Sequence, residues 1–231
     1  MTPPRVSVIV VTYRRLDALE RTVASFRAHS DIDDYEVIIC DDGGSDRHER
    51  RRIERLGADL VIWNDLAGYG ANANSGLRAA RGDYIFHLED DCVVGADGHF
   101  LEPGMQVLSA LPELGYLHYS GPGGLPRLRA SRQVGDLLVD VIPFAPAHAE
   151  GYAIFRYSNR PHLKTRRFHE VYGSYPVGCC PFETEYLFAR HVNAVRGPRL
   201  GWIHDATMFV HVGHQYGSNA FLSPRIQQGA S

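Results

Sequence analysis

Lysine is almost missing from this chain: of 24 Lys and Arg residues, Lys164 is the single lysine. Genome composition is one source of such a bias, and the better bidentate grip of Arg on phosphate is another. An excess of charge of either sign is missing too. A formal net charge of -3 gives no global attraction to nucleic acid or acidic lipid, and nucleic acid is not expected as a partner. No apolar run approaches the ~20 residues that span a bilayer, and the first residues lack a signal-peptide apolar region. The expectation is a protein of the reducing cytoplasm with no transmembrane segment. The four cysteines, Cys40, Cys92, Cys179 and Cys180, show no CxxC spacing, which argues against a zinc cage or a disulfide scaffold. Repeats and low-complexity tracts are absent from the sequence. What remains, at 231 residues with 44% hydrophobic and 22% charged, is the composition of one ordinary large domain.

Along the chain, strand and helix patterns alternate. Val6 to Val11 is a continuous apolar, β-branched run, as in a strand covered on both faces. It ends in Thr12-Tyr13-Arg14-Arg15, and Leu16, Leu19, Val23 and Phe26 then recur at helical spacing. Tyr35 to Cys40 reads as a second buried strand, stopping at Asp41-Asp42-Gly43-Gly44-Ser45-Asp46. Asp46 with Glu49 resembles a capping box for the Arg-rich helix beyond. Leu60 to Trp63 is a third strand, and Gly68 to Gly76 leads into a helix closed by Gly82. This alternation predicts an α/β fold with a mostly parallel central sheet flanked by helices.

Later elements are sparser. A helix is expected over Phe100 to Leu111, a short strand over Tyr116 to Tyr119, and a Gly/Pro/Arg loop over Gly121 to Arg129. A strand is expected over Tyr152 to Tyr157, followed by a loop at Ser158 to Lys164. Glu183 to Val195 reads as a helix with Tyr186, Leu187 and Val192 facing the core; short strands near Trp202 and Met208 to Val210 follow. No linker interrupts the chain, which predicts one domain of two lobes, about 1–93 and about 94–218, with a flexible tail at 219–231.

The stretch Gly82 to Val94, GDYIFHLEDDCVV, carries the most chemistry. A short buried strand runs into three consecutive carboxylates, Glu89, Asp90 and Asp91. Such carboxylates repel one another unless a cation or donors sit opposite, and strand carboxyl ends are where α/β sheets bind ligands. Hard oxygen ligands point to a divalent metal, Mn2+ or Mg2+, bridging to a phosphate-bearing substrate. A solvated acidic turn is the bland alternative.

Several fragments in the right order settle which way to lean. VSVIVVTYRR, CDDGGSD, GYGANANSGLRAARGDYIFHLEDD, ETEYLFARH and FVHVG together resemble family-2 glycosyltransferases of the GT-A fold. The resemblance implies an enzyme that moves a sugar from a nucleotide diphosphate sugar, UDP-linked or similar, to a hydroxyl acceptor with inversion. The acceptor class, whether glycan, lipid-linked intermediate or small molecule, stays open, as does assembly into a homodimer. By position, the resemblance implies nucleotide-sugar contacts at Thr12, Tyr13, Arg15, Asp41, Asp42, Gly70, Asn74, Glu89 and Asp90. It implies metal ligation by Asp91 and His211, and a general base at Glu183 or Glu185. Glu89 replaces the first Asp of the usual DxD, and Glu183-Thr184-Glu185 replaces the usual Glu-Asp, so the base is open between the two glutamates.

Asn159 and Arg160, ahead of Pro161, are expected on a stiff loop presenting donors to the acceptor. The bland readings are a surface turn for that loop, helix-dipole caps for Glu183 and Glu185, and solvated faces for Arg50 to Arg52 and for Arg166 and Arg167. Acceptor contact is the alternative for Arg166 or Arg167. His87, His169 and His204 are read as structural. Two other functions stay in view. A nucleotide-sugar-binding protein without turnover would need no late carboxylate. An NAD(P)-dependent oxidoreductase would use Gly68-x-Gly70-x-x-Ala73 as a dinucleotide fingerprint, although that run follows the third strand rather than the first.

Overall fold

The structure, a computed structural model, describes residues 3–95, 99–119, 130–145, 157–203 and 208–213. The expected loop at 121–129, most of the expected strand at 152–157, His204, His214 and the tail lie outside the described residues.

The first third follows the expected alternation. Strand β1 (Val6–Thr12), helix α1 (Leu16–His29), β2 (Tyr35–Asp41), α2 (Arg47–Glu54), β3 (Leu60–Trp63), α3 (Tyr69–Ala79) and β4 (Tyr84–Glu89) succeed one another. The capping box at α2 forms: Asp46 accepts from the His48 and Glu49 amides while Glu49 accepts from the Asp46 amide. Thereafter come β5 (Cys92–Val94), α4 (Leu101–Ala110), β6 (Leu114–His118), β7 (Ser131–Val134), β8 (Leu137–Ile142) and β9 (His162–Thr165). Helices α5 (Arg166–Tyr172) and α6 (Pro181–Val195) and strands β10 (Arg199–Ile203) and β11 (Phe209–His211) complete the order.

Nine strands form one sheet in the order β3-β2-β1-β4-β9-β6-β10-β8-β7, and β5 pairs with β11 in a separate ribbon. The sheet is parallel from β3 to β4, as expected, and mixed beyond. Strand β9 lies antiparallel between β4 and β6, β10 runs parallel to β6, and β8 and β7 are antiparallel additions. The expectation of a mostly parallel sheet is corrected there. Strands β7 and β8 are joined by two residues, Gly135 with φ +55° and Asp136, the short connection that only antiparallel neighbours can use.

Two apolar layers cover the sheet. One packs Val6, Val8, Val10, Phe86 and Leu88 against Leu19 and Phe26 of α1 and Met105 and Leu108 of α4. The other packs Ile9, Val11, Ile38 and Ile85 against Ala73 of α3, Phe168 of α5 and Phe188 of α6. Alternation along each strand sends neighbouring side chains into opposite layers. Helix α6 buries Thr184, Phe188, Ala189 and Val192, a stripe at i, i+4, i+8, whereas Leu187, expected in the core, is 40% exposed and Tyr186 only half-buried.

The loop expected through Lys164 ends early, because His162–Thr165 is an interior strand. Its Lys164 is fully buried. Its Nζ donates to the Tyr175 hydroxyl at 2.7 Å, which itself meets the Tyr157 hydroxyl at 2.5 Å. Alongside, His162 stacks on His87 with centroids 4.9 Å apart, and His87 Nε2 shares a 2.8 Å hydrogen bond with the Tyr69 hydroxyl. Burial pushes Lys164 well below the ordinary lysine range, and burial followed by Lys164 does the same to His87 and His162.

Below the unfolded lysine value the unfolded chain binds a proton that the folded chain refuses, so Lys164 costs stability at neutral pH and less as pH rises. Lys164→Met should therefore raise the thermal midpoint at pH 7 by ~2–4 °C, the scale of about 1 kcal/mol in a domain of this size. The gain should shrink towards pH 10. Melting curves across pH check this; a lower midpoint at every pH would mean that Nζ is needed to hold Tyr175.

Candidate active site

The carboxyl ends of β1, β2 and β4 lie side by side, with Thr12 in register with Asp41 and Val11 with Glu89. The loop after β1 and the acids after β4 therefore converge. Asp90 is buried and fully engaged. Its Oδ2 accepts from the Thr12 hydroxyl at 2.8 Å and the Tyr13 amide at 3.4 Å, Oδ1 faces Arg15 Nη1 at 3.4 Å, and its main-chain carbonyl accepts from Thr22. Burial is the main force that raises its carboxyl to about 7, with Thr12 and Arg15 pulling back. Asp91, 3% exposed, pairs with Arg15 Nη1 through Oδ2, and His211 Nε2 stands 3.3 Å from the same oxygen.

His211 arrives through the small ribbon. It is in register with Cys92, and the Val212 amide donates to the Asp91 carbonyl at 2.7 Å. Two residues on, Gly213 is a steric requirement: a Cβ there would lie 2.3 Å from Asp91 Oδ2 and 2.6 Å from His211 Cε1. Sequence reasoning missed Gly213 and Cys92, although both sit inside the motifs that named His211 and Asp91.

Glu89, Asp91 and Cys92 offer ligand atoms within 4.8 Å of one another. Burial, followed by Asp91, Glu185 and Asp90, drives the Glu89 carboxyl well above its ordinary range. Two such carboxylates and a nearby imidazole suit a hard or borderline divalent ion. The Cys92 thiol is pushed up by burial and the same acids, so it stays protonated and is the poor member of the set.

Opposite stands Glu185 on α6. Its Oε2 accepts from the Asn159 amide at 3.2 Å, and burial raises its carboxyl while the Asn159 amide and Arg160 restrain it. Arg160 acts on Glu89 as well, so the exposed guanidinium, Glu89 and Glu185 share one field. Glu183 is placed differently. It is exposed and closes the capping box of α6, accepting from the Cys180 amide at 3.2 Å while its own amide meets Cys180 Sγ. Asn159 is 3% exposed, and its Oδ1 has no hydrogen-bond partner among the described residues.

The β2 end splits its two acids. Both Asp41 carboxylate oxygens are buried and make no well-formed hydrogen bond among the described residues; burial raises this carboxyl, and the nearby Ser45 side chain is the first group pulling it down. Asp42 instead accepts from the Ala67 and Gly68 amides, 2.8 and 2.9 Å away, and so shapes the entrance to α3. Gly70 and Asn74 also face inward. A Cβ at Gly70 would lie 1.8 Å from the Pro176 carbonyl oxygen. Asn74 exchanges two 2.9 Å hydrogen bonds with the Tyr175 main chain. Both hold α3 against the segment before α6. Arg166 donates to the Gly82 and Ala80 carbonyls, and Arg52 bridges Asp17 and Glu20, so these two arginines hold the scaffold together.

Comparison with known proteins gives the frame a family. The profile described as "Glycosyl transferase family 2" matches residues 7–131. The GalNAc(5)-diNAcBac-PP-undecaprenol beta-1,3-glucosyltransferase of Campylobacter jejuni is 30% identical over 124 residues, 51% of this chain and 38% of that protein. The poly(ribitol-phosphate) beta-N-acetylglucosaminyltransferase TarP of Staphylococcus aureus is 33% identical over 92 residues, 38% of this chain and 28% of that protein. The chain thus spans well under half the length of either curated relative. Among solved structures, the mannosyltransferase PcManGT from Pyrobaculum calidifontis in complex with GDP-Man and Mn2+ superposes with a TM-score of 0.61 at 16% identity. That match covers 92% of this chain and 58% of PcManGT. Residues 1–349 of S. aureus TarS in complex with UDP-GlcNAc give 0.58 at 16% identity, covering 93% of this chain and 62% of that one. The ordered motifs, the mixed α/β sheet and the profile match agree: the chain belongs to glycosyl transferase family 2 and has the GT-A fold.

Proposed function

We propose that this chain transfers a sugar, with inversion, from a nucleotide diphosphate sugar to a hydroxyl acceptor, in a metal-dependent reaction in the cytoplasm. The observation that carries the reading is the juxtaposition of the acids after β4 with a half-buried carboxylate, Glu185, on α6. Donor-binding relatives support it: PcManGT is in complex with GDP-Man and Mn2+ and TarS with UDP-GlcNAc.

In this reading the donor occupies the half formed by about 1–93 and the acceptor the half formed by about 94–218. Asp41 accepts hydrogen bonds from the nucleotide base, since its unpartnered buried oxygens need donors. Thr12, Tyr13 and Asp90 form the wall beside it, and Asp42, Gly70 and Asn74 position that wall from behind. Glu89 and Asp91, with His211, would hold Mn2+ or Mg2+. When bound, the ion offsets the negative charge that develops on the leaving diphosphate, an effect worth several kcal/mol.

Glu185, rather than Glu183, takes the proton of the attacking hydroxyl. Its raised affinity for protons suits a base working near neutral pH. Asn159 fixes it through the main-chain amide, and Arg160 keeps it ionised while facing the acceptor. A single such base is what inversion requires.

Four measurements test the reading. Glu185→Gln should cut turnover by roughly 10²–10⁴-fold with donor affinity retained, while Glu183→Gln changes it only a few-fold; the reverse pattern would move the base to Glu183. The acid limb of the wild-type turnover profile should lie above the ordinary glutamate value of ~4.3, because activity is lost as the raised Glu185 carboxyl takes up its proton. Asp91→Ala should abolish turnover and the metal-dependent stabilisation by nucleotide, and activity undiminished in excess EDTA would remove the metal from the mechanism. Asp41→Asn should weaken nucleotide affinity about ten-fold or more, the scale of one charged hydrogen bond; unchanged titrations would take the base elsewhere.

A further inference from the structure

We infer that Arg15 is a built-in counter-cation for Asp91, occupying the carboxylate oxygen a divalent metal would need, so that metal entry requires the guanidinium to leave. The inference rests on the metal-dependent reading above. Arg15 stands at the N-cap position of α1 but makes no capping hydrogen bond with its side chain. It runs inward instead, with a side chain only 9% exposed, and pairs with both Asp90 and Asp91.

The decisive feature is which oxygen it takes. Arg15 Nη1 pairs with Asp91 Oδ2, the oxygen that His211 Nε2 also approaches at 3.3 Å. Gly213 closes another side, since even a Cβ there would fall within 2.3 Å of Oδ2. Oδ1 lies 3.8 Å from Cys92 Sγ, and Asp91 as a whole is 3% exposed. A cation shared by Asp91 and His211 therefore competes with Nη1 for Oδ2, because two positive centres on one buried oxygen repel strongly. Nη1 already lies 3.4 Å from Asp90 Oδ1, so the guanidinium has a second carboxylate to turn to, and a diphosphate adds another anionic partner. Nucleotide-free protein is thus held closed to metal by its own arginine, and metal and diphosphate enter together.

The test is the Mn2+ affinity of the full chain, read from the electron paramagnetic resonance of free Mn2+, with and without UDP. Without UDP, Arg15→Met should bind Mn2+ about ten-fold or more tightly than wild type, the scale of removing one adjacent positive charge. Arg15→Lys, which keeps the charge, should stay near wild type. An Arg15→Met affinity equal to or below that of wild type, with UDP-loaded wild type binding Mn2+, would overturn the inference alone. No Mn2+ uptake by any of the proteins, even with UDP, would overturn the metal reading and this inference with it. Wild type also reports directly, so the outcome does not hang on how the variants fold. In arginine-labelled protein the Arg15 Nε resonance should shift at the Mg2+ concentrations that fill the site, and a resonance that stays put while metal binds would refute the exchange.

Discussion

Three carboxylates in a row at the end of a buried strand set the terms for everything around them. Like charges a few ångströms apart, withdrawn from water, cost several kcal/mol unless donors or cations stand opposite. The surrounding elements supply them unevenly. Asp90 is satisfied by Thr12, Tyr13, Thr22 and Arg15, and becomes part of the scaffold. Asp91 leans on Arg15 and His211, and Glu89 is left with like charges on three sides and Arg160 as the relieving one. The remaining imbalance is the chemical resource of the site.

The frame that maintains this imbalance is stiff. Four parallel strands with apolar residues on both faces hold Thr12, Asp41 and Glu89 at one edge. The β5–β11 ribbon carries His211 back over Asp91, and the packed α3 braces the loop before α6 through Asn74 and Gly70. Acidic side chains that are expensive to bury stay where they are because moving them would break well-packed layers.

A second buried polar group sits deeper, on β9. Lys164, His87, His162, Tyr157 and Tyr175 form a set of neutral hydrogen-bonding side chains between the sheet and helices α5 and α6. The lone lysine is thus part of the wall behind the site, and its charge is suppressed by burial rather than used on the surface. Its burial has no trace in the local pattern, because Ser158 to Lys164 reads as a turn followed by a polar run. Only the neighbours β4 and β6 make it interior.

Local rules were sufficient where each element's own residues decide its state. β-branched runs gave β1 to β4, the Asp46–Glu49 spacing gave the cap of α2, and the acids after β4 with the late His211 gave the outline of the site. Nothing local could separate Asp41 from Asp42, two adjacent aspartates of which one accepts from the amides of Ala67 and Gly68 and the other has no well-formed hydrogen bond among the described residues. The same holds for Glu183 and Glu185. They lie two positions apart on a helix, hence on different faces, and only the packing of α6 shows which one turns inward. The sequence by itself determined the family, the order of the elements through β4 and the acidic character of the strand end after it. The tertiary structure decided the mixed second half of the sheet, the inward-facing glutamate and the pairing of Arg15 with Asp91, because each depends on contacts between segments tens of residues apart.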